Sequence, residues 1–207
     1  MAPAHEPRPQ ALLFDLGGVL IDIDFRRALT AWQRHSRLSA EVLASAFRFD
    51  DAYERHERGE IDAAEYFQHL AGLLHLDADH DSIAQGWNAI FQGTISEAVE
   101  LVRVARAHVP CYAFTNTNAA HMAAWQARYP EVPAAFDGIF ASHQLGRRKP
   151  EAAAFEVVIE AIGVPPGSIV FFDDVAENVD AARAAGLRAV QVRTPADIRP
   201  LVASLER

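Results

Sequence analysis

Residues 10–20 read Q-A-L-L-F-D-L-G-G-V-L. The apolar run from Ala11 to Phe14 is too short for a buried helix and suits a strand covered on both faces. It breaks off at Asp15, and Leu16-Gly17-Gly18 follows. A carboxylate where such a strand ends stands at the rim of a sheet. In open parallel sheets that rim is where ligands bind. The glycines let the backbone turn sharply and approach a ligand closely. Asp and Gly also favour ordinary turns, so the reading depends on the rest of the chain.

From Ser96 onward helix and strand patterns alternate. Helical stretches at 97–108, 119–128, 151–162 and 176–185 are followed by apolar runs at 111–114, 139–141, 169–172 and 189–192. Gly186 stops the last helix. Such alternation implies βα units and a parallel sheet covered on both faces, a Rossmann-like α/β core. The strand at 11–14 has no partner of its own and must join that sheet.

Between them the periodicity is helical. Residues 25–35 place Phe25, Ala28, Leu29 and Trp32 on one face, and Ser39 caps a helix over 39–47. Asp62-Ala63-Ala64-Glu65 has the form of a capping box opening 66–74, and 79–91 is amphipathic around Ile83, Trp87 and Ile90. No strand is expected here. The expected organisation is a core of 10–21 and 96–207, with a bundle of about four helices at 22–95 as a candidate lid over the rim.

The 207 residues are half hydrophobic and carry a net charge of −9. That balance argues against nucleic acid or an anionic membrane as partner. An anionic substrate would need a local offset, and a metal ion is the obvious one. The single cysteine, Cys111, permits no internal disulfide and reads as a core residue in a reducing, cytoplasmic setting. Residues 1–9, M-A-P-A-H-E-P-R-P, read as a disordered lead-in, not a signal peptide. No apolar run has the length of a transmembrane helix. Lys149 is the only lysine among 19 basic residues. A site needing a compact point charge, not a guanidinium, would explain the exception.

The residues just beyond each strand form a coherent set: Asp15, then Thr115 and Asn116, then Lys149 in a loop, then Asp173 and Asp174. In a parallel sheet they share one edge. Three carboxylates there call for a cation, and oxygen ligands beside a phosphate suit Mg²⁺. A carboxylate can attack phosphorus. Lysine, threonine and the amides of a helix N-terminus can hold phosphoryl oxygens.

Phe14-Asp15-Leu16-Gly17-Gly18, Thr115-Asn116-Thr117, Lys149-Pro150 and Phe172-Asp173-Asp174, in that order, resemble the four motifs of the haloacid dehalogenase superfamily. The helical insertion resembles its helical-cap subgroup. The resemblance implies a Mg²⁺-dependent phosphatase with Asp15 as nucleophile and metal ligand. It implies phosphoryl binding by Thr115 and Asn116, and charge stabilisation and positioning of Asp15 by Lys149. Asp174 would be the principal acidic metal ligand of the last motif, Asp173 a close second, and the Gly17 carbonyl a further one. The stretches F-D-L-G-G-V-L-I-D-I-D-F, H-E-R-G-E-I at 56–61, T-N-T-N at 115–118, G-R-R-K-P-E and F-F-D-D-V-A-E-N resemble sugar-1-phosphate phosphatases of bacteria. They imply a small phosphorylated metabolite such as glucose 1-phosphate.

One residue departs from the pattern. Gly17 stands where most phosphatases of the superfamily carry an acid/base Asp, a loss of about 10²–10⁴ in rate if nothing replaces it. Asp22, Asp24 and His121 are the candidate substitutes. Two alternatives stay open: a 2-haloacid dehalogenase, which would use the same nucleophilic Asp, and, because of Gly17, a catalytically weak phosphate-binding protein. His56, Glu57 and Arg58 read as a solvated turn closed by Gly59, the alternative being a cap loop that reaches the substrate. Trp32, Trp87 and Trp125 read as core.

Overall fold

The structure is a computed structural model and describes residues 7–206. Seven strands are present among them: β1 (Ala11–Phe14), β2 (Ile21–Ile23), β3 (Phe91–Thr94), β4 (Cys111–Thr115), β5 (Gly138–Ala141), β6 (Ile169–Asp173) and β7 (Arg188–Gln191). Five of them form a parallel sheet in the order β5-β4-β1-β6-β7. The strand that begins the chain's fold is therefore its centre. Leu12 pairs with Cys111 on one side, and Phe14 with Phe172 on the other.

Side chains alternate across a strand, and the core divides accordingly. Leu12, Phe14, Cys111 and Phe172 enter one apolar cluster. Leu13, Phe114, Ile169 and Phe171 enter the other. Both faces are covered, as continuous apolar runs require. Helices α6 (Ser96–Arg106) and α12 (Arg199–Leu205) cover the first face, and α10 (Ala152–Ile162) and α11 (Ala176–Ala184) the second. Helix α7 (Ala119–Arg128) and the short helices α8 (Glu131–Ala134) and α9 (Ser142–Leu145) complete the core.

The insertion carries α1 (Arg26–Gln33), α2 (Ala40–Ala46), α3 (Asp51–Glu57), α4 (Ala63–Leu73) and α5 (His80–Trp87). Ser39 and Asp62 accept from the amides of Val42 and Glu65, as N-caps do. Trp32, Trp87 and Trp125 are all core, and the first sheet-face cluster runs on without a break into the cap through Trp32, Tyr66 and Trp87.

Three expectations need correction. The insertion is not free of strands: β2 and β3 pair antiparallel and carry the chain out of the core and back, with Ile21 opposite Thr94. β2 alternates as Ile21-Asp22-Ile23, but at three and four residues the two strands are too short for such a pattern to stand out. The helix expected over 79–91 ends at Trp87 and gives way to a 3₁₀ turn at Asn88–Ile90 before β3. A fifth cap helix, α3, exceeds the about four expected; its sequence D-A-Y-E-R-H-E is almost wholly polar and shows no apolar stripe.

The lead-in reading at 1–6 lies outside the described residues. Residues 7–9 do not behave as expected: Pro9 is buried, and Arg8 Nη2 donates to the Leu205 carbonyl at 2.8 Å. No helix among the described residues is long and apolar enough to cross a membrane.

Candidate active site

The parallel sheet brings Asp15, Thr115, Lys149, Asp173 and Asp174 to one edge. Asp15 follows β1, Thr115 ends β4, and Asp173 ends β6. Lys149 lies in the loop between α9 and α10 and is only 1 % exposed. Its Nζ stands 2.9 Å from Asp15 Oδ1 and 2.6 Å from Asp173 Oδ2. The ammonium also sits over the rings of Phe114 and Phe171, 5.3 and 5.4 Å from their centroids. This is a narrow slot between two carboxylates and two aromatic faces, which suits a point charge and not a planar fork. Burial by itself pulls the lysine down, but Asp15 and Asp173 together outweigh it, and the net direction is up.

Asp15 is held through one oxygen. The amide of Leu16 donates to Oδ1 at 2.7 Å, beside the Lys149 bond. Among the described residues Oδ2 accepts no hydrogen bond. Burial pushes the carboxyl up to about 7; Lys149 opposes the push, and Asp173 and Asp174 add to it.

The two acids after β6 do different things. Asp173 is fully buried and saturated: Val175 N donates to Oδ1 at 2.9 Å, Lys149 Nζ reaches Oδ2, and Asn178 Nδ2 lies 3.0 and 3.1 Å from the two oxygens. These contacts use the roughly four acceptor sites a carboxylate has. Asp174 is half-buried and lines the cavity in front of Asp15, and burial and Asp173 raise its carboxyl. It also explains Gly18. That residue has φ +75°, and a Cβ there would fall on the Asp174 carboxylate. Oxygens of Asp15, Asp173 and Asp174 lie within 4.8 Å of one another.

Thr115 lines the cavity and is buried. Asn116 lines it too, but its side-chain amide is engaged with the backbone of Lys149. Nδ2 donates to the carbonyl at 2.9 Å, and Oδ1 accepts from the amide at 2.8 Å. Asn116 thus fixes the loop that delivers the lysine.

None of the three candidates for the missing acid lies free at this edge. Asp22 is exposed on β2. Asp24 is bonded to Arg26, which holds its carboxyl low. His121 is stacked on Trp87 at 4.3 Å, with Nε2 3.0 Å from the Trp87 carbonyl and Nδ1 facing the Asn118 amide. Those partners place its proton on Nε2, and burial takes the ring down to about 3. At Gly17 a Cβ would stand 3.0 Å from Ile23 Cδ1, so Ile23 occupies the neighbouring space.

The residues that sequence reasoning undervalued come from α3. His56 and Glu57 are buried, at 2 and 3 % exposed, not solvated. Arg148 Nε bonds Glu57 Oε2 at 2.8 Å and Arg148 Nη1 bonds Glu54 Oε1 at 3.2 Å, while Arg58 Nη1 reaches Glu151 Oε1 at 3.0 Å. Gly59, with φ +70°, lets the loop pass where a Cβ would strike the His143 carbonyl. The cap therefore docks beside the lysine loop. Together they enclose a cavity of about 630 Å³, lined by Asp15, Lys149 and Asp174 from the core and by Tyr53, Glu54 and Glu57 from the cap.

Comparison with known proteins places the chain in a family. The family model for haloacid dehalogenase-like hydrolases matches residues 9–186. The chain belongs to that family and is a hydrolase. A D-ribitol-5-phosphate phosphatase of Bacteroides thetaiotaomicron is 26 % identical over 195 residues, covering 91 % of this chain and 94 % of the relative. A phosphatase of Mycobacterium tuberculosis is 28 % identical over 191 residues, covering 88 and 86 %. Among solved structures, a haloacid dehalogenase family enzyme of B. thetaiotaomicron in complex with magnesium and inorganic phosphate superposes with a TM-score of 0.77 at 24 % identity, covering 88 % of this chain and 93 % of that one. An L-2-haloacid dehalogenase of Xanthobacter autotrophicus gives 0.65 at 20 %, covering 89 and 77 %. Both show the shared fold.

Proposed function

We propose that this hydrolase is a Mg²⁺-dependent phosphatase of small phosphate monoesters, working through a phosphoryl group carried on Asp15. The observation that carries the reading is the buried Lys149 ammonium between Asp15 and Asp173, with Asp174 facing the same cavity. Asp15 Oδ2 is the oxygen left to attack phosphorus, since Oδ1 is tied to Leu16 and Lys149. The attack forms the Asp15–phosphorus bond as the ester oxygen departs with its electron pair. Water then hydrolyses the acyl phosphate and restores the carboxylate. Lys149 and the Thr115 hydroxyl stabilise charge on the phosphoryl oxygens.

The donor set fits a hard divalent cation: carboxylates gathered on one side of a cavity, offering oxygen only. Asp15, Asp174 and the Gly17 carbonyl would hold it. Asp173 is committed to Lys149, Asn178 and Val175, and its part is to position the lysine. When bound, Mg²⁺ supplies charge neutralisation for the phosphoryl oxygens.

On substrate, the stretches quoted from the sequence resemble bacterial alpha-D-glucose-1-phosphate phosphatases, and a relative carries the name of a polyol phosphate phosphatase. Both support a sugar or polyol phosphate such as glucose 1-phosphate. The anomeric oxygen of a sugar 1-phosphate leaves more easily than a plain alcohol, which lightens the demand for an acid at Gly17. The dehalogenase alternative is less well supported, because haloacid chemistry needs no metal and leaves Asp174, which faces the cavity with Asp15, without a role.

The test is a panel of phosphorylated metabolites and 2-haloacids, assayed with Mg²⁺ and with chelator. Phosphate release that chelator lowers by at least about 10²-fold, the scale of several kcal/mol of charge stabilisation, and that Mg²⁺ restores, is the expected outcome. Halide release in chelator, with no phosphate release in Mg²⁺, would establish the dehalogenase instead.

A further inference from the structure

The cap side of the cavity holds a buried carboxylate that the chemistry above does not use. Glu57 closes helix α3. Its Oε1 accepts from the Tyr53 hydroxyl at 2.8 Å, and its Oε2 from Arg148 Nε at 2.8 Å. Burial drives the Tyr53 phenol far up, so that hydroxyl keeps its proton and stays a donor. Two of about four acceptor sites are thus used, and each oxygen keeps one. Burying a charge is costly unless it is paired and hydrogen-bonded. Here both conditions are met, with acceptor capacity to spare.

Its position is specific. A narrower recess of about 70 Å³ runs beside Gly17, Thr115 and Asn116, and Glu57 is the one acid that lines both this recess and the main cavity among the described residues. It stands where the part of a substrate beyond its phosphate would lie. The surroundings sort such groups by charge. Glu54, Glu151 and Glu177 also line the cavity; Arg148 and Arg58 pair with Glu54, Glu57 and Glu151, so two arginines face four carboxylates and the wall stays net acidic. Arg148 is already committed to Glu57 and Glu54. Phe49, 57 % exposed at the mouth and packed on Tyr53 at 4.6 Å, offers an apolar face.

We infer that Glu57 is the residue with which the cap reads the leaving group: it accepts a hydrogen bond from a hydroxyl of a neutral polyol, and the acidic wall around it turns away a leaving group bearing a second anion. This rests on the phosphatase reading and adds to it a residue and a rule. Substrates are monophosphates of neutral, hydroxyl-rich bodies. Bisphosphates and phosphorylated carboxylic acids are excluded.

The experiment measures kcat/KM in Mg²⁺ for glucose 1-phosphate, glucose 1,6-bisphosphate and phenyl phosphate, in the parent and in Glu57→Gln. The parent should prefer the monophosphate to the bisphosphate by at least about 10-fold. In Glu57→Gln the ratio of glucose 1-phosphate to phenyl phosphate should fall about 10- to 100-fold, the range for a hydrogen bond to a charged group. The handicap of the bisphosphate should shrink. Tyr53→Phe removes one clamp while keeping the carboxylate, and should shift the same ratio in the same direction by less. It keeps the test open if Glu57→Gln does not fold. An equal fall on both monophosphates, or a parent that accepts the bisphosphate as well as the monophosphate, overturns the inference and leaves the phosphatase standing. A parent that hydrolyses none of the three esters overturns both.

Discussion

The rim and the roof of the cavity are built on opposite plans. At the rim, Asp15, Thr115 and Asp173 stand at strand ends, placed by the register of β1, β4 and β6. At the roof, Glu54 and Glu57 sit on a seven-residue helix of the insertion, placed by ion pairs to Arg148. Backbone hydrogen bonding fixes the first to a fraction of an ångström, whatever the loops do. The second depends on side chains meeting across a seam. On the proposed function the rim would carry the chemistry and the roof the selectivity, and each variant below either strains that division or makes it sharper.

The strongest test removes the proposed nucleophile. Asp15→Asn should keep the fold, because Oδ1 can still accept from Leu16 and Lys149, and should lower phosphatase turnover by at least about 10⁴-fold, as loss of a covalent nucleophile does. A folded variant with near-parent turnover would break the division at its base. Lys149→Arg comes next. It keeps the charge, but a guanidinium does not fit the slot between Asp15, Asp173 and the Phe114 and Phe171 rings. Activity should fall about 10²- to 10³-fold, as when a transition-state donor is misplaced. Full activity would show that the lone lysine is an accident of composition.

Gly17→Asp acts at the boundary of the two regions. The new Cβ presses on Ile23 Cδ1, so the variant is best made together with Ile23→Val. It should raise kcat for glucose 6-phosphate by about 10-fold or more while changing glucose 1-phosphate less, since a general acid matters most for a poor leaving group. An equal effect on both esters would mean that protonation is not limiting.

The smallest effect is on stability and reports on the seam. His121 is neutral in the folded protein, with its pKa at about 3 against an ordinary 6.5. The unfolded chain takes up a proton below 6.5 and the folded one does not. This histidine therefore costs stability as the pH falls from 6.5 toward 3, by up to about 1.4 kcal/mol per pH unit. The raised Asp15 carboxyl works in the opposite sense over much of that range, so the quantity to measure is the difference between the parent and His121→Gln by urea unfolding. The parent's advantage should shrink as the pH falls below 6.5. A constant difference would show that the ring is not held neutral.

The same contrast explains what the sequence disclosed. Strands such as 11–14 and 169–173 announce themselves because burial on both faces demands an unbroken apolar run, and an acid at the end of such a run is conspicuous. Asp173 and Asp174 were visible as a pair, but not their separate duties, which depend on Asn178 and on the path of the backbone at Val175. Helix α3 was opaque for a physical reason. Glu57 is buried because Arg148, 91 residues further on, meets it, and His56 because it stacks on Tyr66 of the next helix. No local pattern encodes a partner that far away. The pairing of Tyr53 with Glu57, one helical turn apart, was the available hint. Strands β2 and β3 were hidden by their length and by the bulge between Asp22 and Ile23.

That ribbon has a consequence for how such a chain can change. Because Ile21 and Thr94 lie side by side, the sheet meets the whole cap as though it were the loop of a hairpin. Closing a loop twice as long costs only about 0.6 kcal/mol more. The insertion can therefore lengthen, shorten or be rewritten while the rim keeps its geometry, provided the new segment covers the apolar face beneath it and keeps a partner for Arg148. On the proposed reading, selectivity would sit in the part of the molecule that can vary at least cost to the catalytic frame.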